Sequence, residues 1–224
     1  MQQIALDIGM GASPSLGNYF AGPNADALHH LQRLVQSPPV DGVPTFLWGG
    51  PGSGKTHLLR ACAAALIAQG ASVGWLDASE PEAPALEESW SLLVMDDVHL
   101  YDAQRQHIAF GWFVQAASLQ RPVLCAASSA PVQLHLREDL RTRLGWGHVF
   151  GLQPLTEAQT RAALRQAADA RGLFLSDEVM DFTLRRFSRD LGTLFALLDE
   201  LDRYALQTQR AITIPLLKSM LENT

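Results

Sequence analysis

The sequence predicts an α/β fold, a parallel sheet sandwiched by helices, followed by a small all-helical lid. Three observations carry that prediction. Between residues 43 and 152 short apolar runs alternate with helical patterns, as in a sheet covered on both faces. Gly49-Gly50-Pro51-Gly52-Ser53-Gly54-Lys55-Thr56 fulfils G-x-x-x-x-G-K-[ST] directly after one apolar run and directly before a helical pattern. After Gln153-Pro154-Leu155 every further segment reads as helix. The expected organisation is a flexible leader over 1–17, an αβα core over 18–153 and a lid over 154–224.

The leader is polar, bears Gly, Ser and Pro, and has little periodicity. Asn18 to Pro23 leads into an amphipathic helix near Asn24 to Gln36. Phe46 to Trp48 reads as the first strand, Thr56 to Gln69 as a helix closed by Gly70, and Val73 to Leu76 as the next strand. An acidic loop with prolines, Ala78 to Glu88, precedes a strand at Leu92 to Asp96 and a helix around Gln104 to Ser118. Strands at Val123 to Ala127 and His148 to Leu152 complete the sheet. In the lid, Thr156 with Gln159 forms a capping box, Gly172 closes that helix, Ser176 and Ser188 are N-caps for two more, and Ile214-Pro215 opens a last short one.

The glycine-rich stretch reads as a phosphate cradle. Glycines admit left-handed dihedrals, so that successive N–H groups converge on phosphate oxygens at the positive end of the following helix. In that chemistry Lys55 reaches the β and γ phosphates and Thr56 holds Mg²⁺, with Gly49, Pro51, Gly52, Ser53, Gly54 and His57 around the nucleotide. The run Leu92-Leu93-Val94-Met95 ends in Asp96-Asp97, two carboxylates at the end of a buried strand. Asp96 suits the magnesium shell and Asp97 the orientation of an attacking water. Ser128-Ser129 follows a strand, which by itself describes a turn as well as a site. Arg141, Arg143 and Arg189 are cations near helix ends, and composition does not select among them.

Composition bounds the rest. The 224-residue chain is 47% hydrophobic and 18% charged, an ordinary globular balance with room for a full core. No stretch nears the roughly 20 apolar residues of a membrane span, and Met1-Gln2-Gln3 lacks a basic signal region, which predicts a cytoplasmic protein. A net charge of −6 argues against an independent grip on nucleic acid, so any DNA contact is expected to be indirect or weak. Cys62 and Cys125 read as small core residues, and the seven histidines as surface or packing residues.

This order of motifs resembles the AAA+ ATPases of the DnaA family, and within it the Hda proteins, short paralogues of the DnaA initiator. The likeness runs from Asn18 onward. It is carried by Asp96-Asp97, by Leu140-Arg141-Thr142-Arg143-Leu144-Gly145-Trp146-Gly147, by Gly151 to Leu155, and by Thr193-Leu194-Phe195-Ala196-Leu197-Leu198-Asp199-Glu200-Leu201-Asp202. DnaA proteins continue into a helix-turn-helix domain, so the end at Thr224 favours the short paralogues. The resemblance implies that Arg143 is an arginine finger acting in trans, Arg189 the sensor 2 arginine and Ser128 the sensor 1 residue. It also implies that Tyr19, Phe20 and Gly22 contact adenine. Gln3-Ile4-Ala5-Leu6-Asp7-Ile8 is similar to the clamp-binding peptide of Hda proteins, Ile4 standing for leucine and Asp7 for proline.

The implied function is regulation of replication initiation. The protein would bind ADP or ATP with Mg²⁺, dock on the β sliding clamp of DNA polymerase III through Gln3, Ile4, Leu6 and Ile8, and stimulate ATP hydrolysis by DnaA. Ser128 for the more polar residue common in AAA+ enzymes, and Asp97 for glutamate, imply at most slow turnover of its own. A homodimer is compatible with the resemblance. The competing expectation is a stand-alone ATPase or DnaC-like helicase loader, with robust turnover and a basic channel for single-stranded DNA.

Overall fold

The computed structural model describes residues 13–38, 42–80, 82–187 and 191–222. The chain divides into two compact units, one over Pro14–Pro154 and one containing Leu155–Thr224. In the first, strands β1 (Thr45–Trp48), β2 (Ser72–Leu76), β3 (Trp90–Met95), β4 (Val123–Ala127) and β5 (His148–Gly151) form one sheet in the order β2-β3-β4-β1-β5. All four pairings are parallel. Helices α1 (Ala25–Gln36), α2 (Lys55–Ala68), α3 (Ala103–Leu119) and α4 (Glu138–Gly145) connect and cover it.

Alternation along the strands builds two apolar layers. Phe46, Leu93, Met95, Val123, Cys125 and Ala127 face a layer with Trp112, Phe113 and Ala116 of α3 and Leu140 and Leu144 of α4. Leu47, Leu92, Val94, Leu124 and Ala126 face the other, with Leu31 and Leu34 of α1 and Leu58, Leu59, Cys62 and Leu66 of α2. Neighbouring residues on a strand point to opposite faces, so a continuous apolar run such as Leu92 to Met95 is what a doubly covered strand requires. Both cysteines are buried free thiols, and burial pushes the Cys62 thiol up to about 12. His30 is a packing residue: its Nε2 lies 2.8 Å from Thr45 Oγ1 and its ring 4.5 Å from that of His148, with burial and that neighbour lowering its pKa.

The second unit is a four-helix lid: α5 (Glu157–Ala170), α6 (Asp177–Arg186), α7 (Leu191–Thr208) and α8 (Ile214–Glu222). Its core includes Leu164, Met180, Leu194, Leu198, Leu201 and Leu217. The capping box forms in full, with the Thr156 hydroxyl accepting from Gln159 N at 3.3 Å and Thr156 N donating to Gln159 Oε1 at 2.9 Å. Ser176 caps α6 by accepting from Val179 N. Arg161 joins Asp177 and Asp181, fastening α5 to α6. Ser188 falls outside the described residues.

Several element boundaries differ from expectation, most of them by one residue. Strand β3 begins at Trp90, two residues before Leu92, because the Trp90 ring tucks across Gly74 of β2 and lies 5.1 Å from Trp112. It ends at Met95, so Asp96 lies beyond the last strand residue, and β5 ends at Gly151, leaving Leu152 outside it. A complete helix, α4, carries Arg141 and Arg143, where the sequence marks only a helix end.

The Gly74 contact generates a test of the sheet. A methyl group there would stand 2.1 Å from Trp90 Cε3. Gly74→Ala should therefore cost about 1–3 kcal/mol by overpacking, read as a lower urea midpoint at unchanged m value; an unchanged midpoint would show that the indole has room to move.

Candidate nucleotide site

Strands β1 and β4 end level, and β3 ends two residues earlier. Trp48 pairs with Ala127 and Met95 with Cys125, so Gly49, Asp96 and Ser128 emerge along one edge. The loop starts at Gly49, whose N–H donates to Ala127 O at 3.3 Å. It turns through Gly52 and Gly54, with φ of 73° and 87°, and enters α2 at Lys55. Only glycine takes such angles without strain, and the opening turn of a helix leaves amides without helical partners. A methyl group at Gly50 or Gly52 would meet nothing within 4 Å, so the loop faces open space.

Lys55 Nζ donates to Gly49 O at 2.8 Å and to Gly50 O at 3.1 Å. Burial lowers its pKa, opposed by the charges of Asp97 and Asp96. Ser53 Oγ donates to Gly50 O at 2.9 Å and tightens the turn. Asp96 is 1% exposed. Its Oδ1 accepts from Asp97 N at 2.9 Å, and it is hydrogen-bonded to Thr56. Burial raises its pKa, the Thr56 bond counteracts this, and the nearby Asp97 charge adds to the rise. A hydroxyl and a carboxylate already in contact are the oxygen donors that Mg²⁺ uses beside a phosphate. Asp97 adopts φ 47°, in the left-handed region that aspartate tolerates better than most residues. Its Oδ1 lies 3.9 Å from His99 Nδ1.

Tyr19 closes the side of the cradle. Its hydroxyl donates to Ser53 O at 3.2 Å, and its ring lies 5.8 Å from that of His57. A methyl group at Gly54 would come within 2.6 Å of Tyr19 Cε2, so this glycine serves both the turn and the close approach of the ring. Phe20 and Gly22 follow immediately, Gly22 opening a short turn over Gly22–Asn24 with φ 47°. Ser128 is partly buried at the tip of β4.

Arg143 is not part of this cluster. It belongs to the last turn of α4, which leads to Gly147, packed on Pro44 O at the amino edge of β1. It lines an open groove of about 770 Å³ with Phe110, Arg137, Glu138, Asp139 and Thr142. Its guanidinium carbon is 5.9 Å from the centre of the Phe110 ring, and that of Arg137 is 5.8 Å away. Arg137 is paired with Asp139 at 2.6 Å, whereas Arg143 has no ion pair among the described residues. Arg189, Gln3, Ile4, Leu6 and Ile8 lie outside the described residues. Two site residues escaped the sequence: Phe110, hidden among apolar positions of α3, and Asn24, whose signal is only that of a helix cap.

Residues 157–221 match the family model described as the Hda lid domain. Over that stretch the chain is similar to the lid of Hda proteins, and the core has the AAA+ fold of DnaA domain III. Solved structures with the same fold include domain III of the replication initiation protein DnaA from Thermotoga maritima. It is 20% identical, with a TM-score of 0.74 over 96% of this chain and 98% of that one. AMPPCP-bound DnaA from Aquifex aeolicus is 19% identical, with a TM-score of 0.72 over 89% and 68%. A Thermotoga maritima RuvB mutant is 17% identical, with a TM-score of 0.64 over 93% and 71%. Among the described residues, no helix is long and apolar enough to cross a membrane.

The buried Asp96 makes a signed prediction. A carboxyl whose pKa is raised by folding favours the fold below its ordinary range, and that advantage is lost as pH rises through the folded value. Asp96→Asn should thus raise the melting temperature of the nucleotide-free protein at pH 7, and the gain should vanish below about pH 4. A pH-independent change on thermal melting would refute it.

Proposed function

We propose that this protein regulates replication initiation by holding ADP in its own phosphate loop and offering Arg143 to ATP bound by DnaA. The observation that carries the reading is the placement of Arg143. It has no ion pair among the described residues, it lies near an aromatic face, and it lines a groove that contains none of the phosphate-loop residues. A guanidinium in that position suits a neighbour's γ-phosphate, where it offsets charge in the transition state.

The Hda lid match and the DnaA-like fold support DnaA as the partner. Two solved DnaA neighbours carry AMPPCP, which supports a nucleotide in the loop built by Gly49 to Thr56. Arg189 is assigned to the bound nucleotide from the lid, Ser128 and Asp97 to its γ-phosphate edge, and Thr56 with Asp96 to Mg²⁺. The leader residues Gln3, Ile4, Leu6 and Ile8 are assigned to the β sliding clamp, an apolar alternation suited to a preformed groove. These assignments place the protein in the cytoplasm, brought to DNA by the clamp.

Hydrolysis by DnaA in the presence of clamp and DNA tests the finger. Arg143→Ala should lower the stimulation roughly 10³-fold, as for other fingers acting in trans, while ADP still binds. Stimulation equal to that of the native protein overturns the proposal, and robust turnover without DnaA favours a stand-alone ATPase.

Docking has its own measurement. Titration of labelled clamp with the double variant Gln3→Ala, Leu6→Ala should show affinity reduced at least about tenfold, a loss of roughly 1.4 kcal/mol. Unaltered binding would remove the leader from the interface.

A further inference from the structure

Asn24 is 5% exposed and occupies the N-cap position of α1, yet its side chain makes no capping bond. Its polar atoms are engaged elsewhere. Oδ1 accepts from Gln153 N at 2.8 Å, while Nδ2 donates to Gln153 O at 2.9 Å and to the Tyr19 hydroxyl at 3.0 Å. One carboxamide thus satisfies both backbone groups of Gln153, as a neighbouring strand would. The Tyr19 hydroxyl passes its own hydrogen to Ser53 O in the phosphate loop.

The same stretch is held from its other side. Leu152 N donates to Trp48 O at 2.6 Å, and a methyl group at Gly49 would stand 2.4 Å from Leu152 O. The core unit ends at Pro154 and the lid unit starts at Leu155. Proline has no N–H, so the Gln153 amide is the last backbone donor before the lid.

We propose that Asn24 is a positioning residue that fixes the Leu152–Pro154 exit from the sheet in the frame of the phosphate loop, so that occupancy of the loop is transmitted to that exit through Tyr19. The physical link is a single peptide group. Ser53 O, the acceptor for Tyr19, and Gly54 N–H, at the cradle, are its two ends. An anion accepting from Gly54 N–H polarises Ser53 O and strengthens the Tyr19 bond, and the Asn24 bonds follow in series. This inference rests on the reading that the loop takes a nucleotide.

Hydrogen exchange on the full chain with and without Mg²⁺-ADP tests both claims separately. In the native protein ADP should slow exchange at amides 50–57 and, at least severalfold, at Leu152, Gln153 and Leu155. In Asn24→Ala the protection of 50–57 should persist and that of 152–155 should disappear. Gln153→Ala should behave as native, because only backbone atoms of Gln153 are recognised. If Asn24→Ala does not fold, Tyr19→Phe decides, since it removes only the bridging hydroxyl and should likewise abolish the ADP effect at 152–155. ADP-dependent protection of 152–155 that survives in these variants overturns the coupling and leaves the nucleotide reading intact; no protection anywhere in the native protein overturns both.

Discussion

Parallel registration of β1, β3 and β4 is the constraint on which the candidate site depends. With Trp48 beside Ala127 and Met95 beside Cys125, the chain leaves β1 and β4 level and β3 two residues earlier, presenting a glycine loop, a carboxylate and a serine along one edge. A slip of one residue would turn Phe46, Leu93 and Cys125 to the opposite face and Leu47, Val94 and Leu124 with them. The apolar alternation that specifies the core thereby also specifies the site. Strand β1 has partners on both sides, so the phosphate loop departs from one of the firmest parts of the sheet.

The charges at that edge are arranged for an occupant. Burial disfavours the ionised forms of both Lys55 and Asp96. Each has compensation that can be exchanged for a stronger kind: Lys55 with two loop carbonyls, Asp96 with the Thr56 hydroxyl and the Asp97 amide. A carbonyl is a weaker acceptor for an ammonium than a phosphate oxygen, so the lysine has reason to turn from Gly49 and Gly50 toward a bound anion. Asp97, held in a left-handed conformation beside it, supplies a second carboxylate without burying it fully.

Much of this was legible in the sequence because local rules agreed with the tertiary outcome. The alternation in β4, the capping box at Thr156 and the glycine spacing of the phosphate loop each follow from backbone geometry within a few residues. The early start of β3 was not legible, since Trp90 stands among Glu87, Glu88, Ser89 and Ser91 and gains its place only by packing over Gly74 and against Trp112. Asn24 is a more instructive case. Beside a helix start, an asparagine is expected to cap, whereas here a backbone 129 positions away claims the side chain. Phe110 was equally hidden, because an aromatic on α3 reads as core until Arg137 and Arg143 are found over its ring.

The proposed function also constrains how two molecules meet. The phosphate cradle lies at the carboxyl edge of the sheet, whereas the Arg143 guanidinium, without an ion pair among the described residues, lies on the helix that leads to Gly147 at the amino edge of β1. In the proposed function the finger does not serve the chain's own cradle and finds its complement in a second molecule. Contact between unlike surfaces is heterologous and does not close on itself with two members, in contrast to a twofold dimer. On the proposed reading, a finger offered to DnaA would leave this chain's own cradle outside that contact, so that a nucleotide held there would not be consumed by the same encounter. On that reading, nucleotide in the cradle and catalysis at the finger would be separable properties of a single domain.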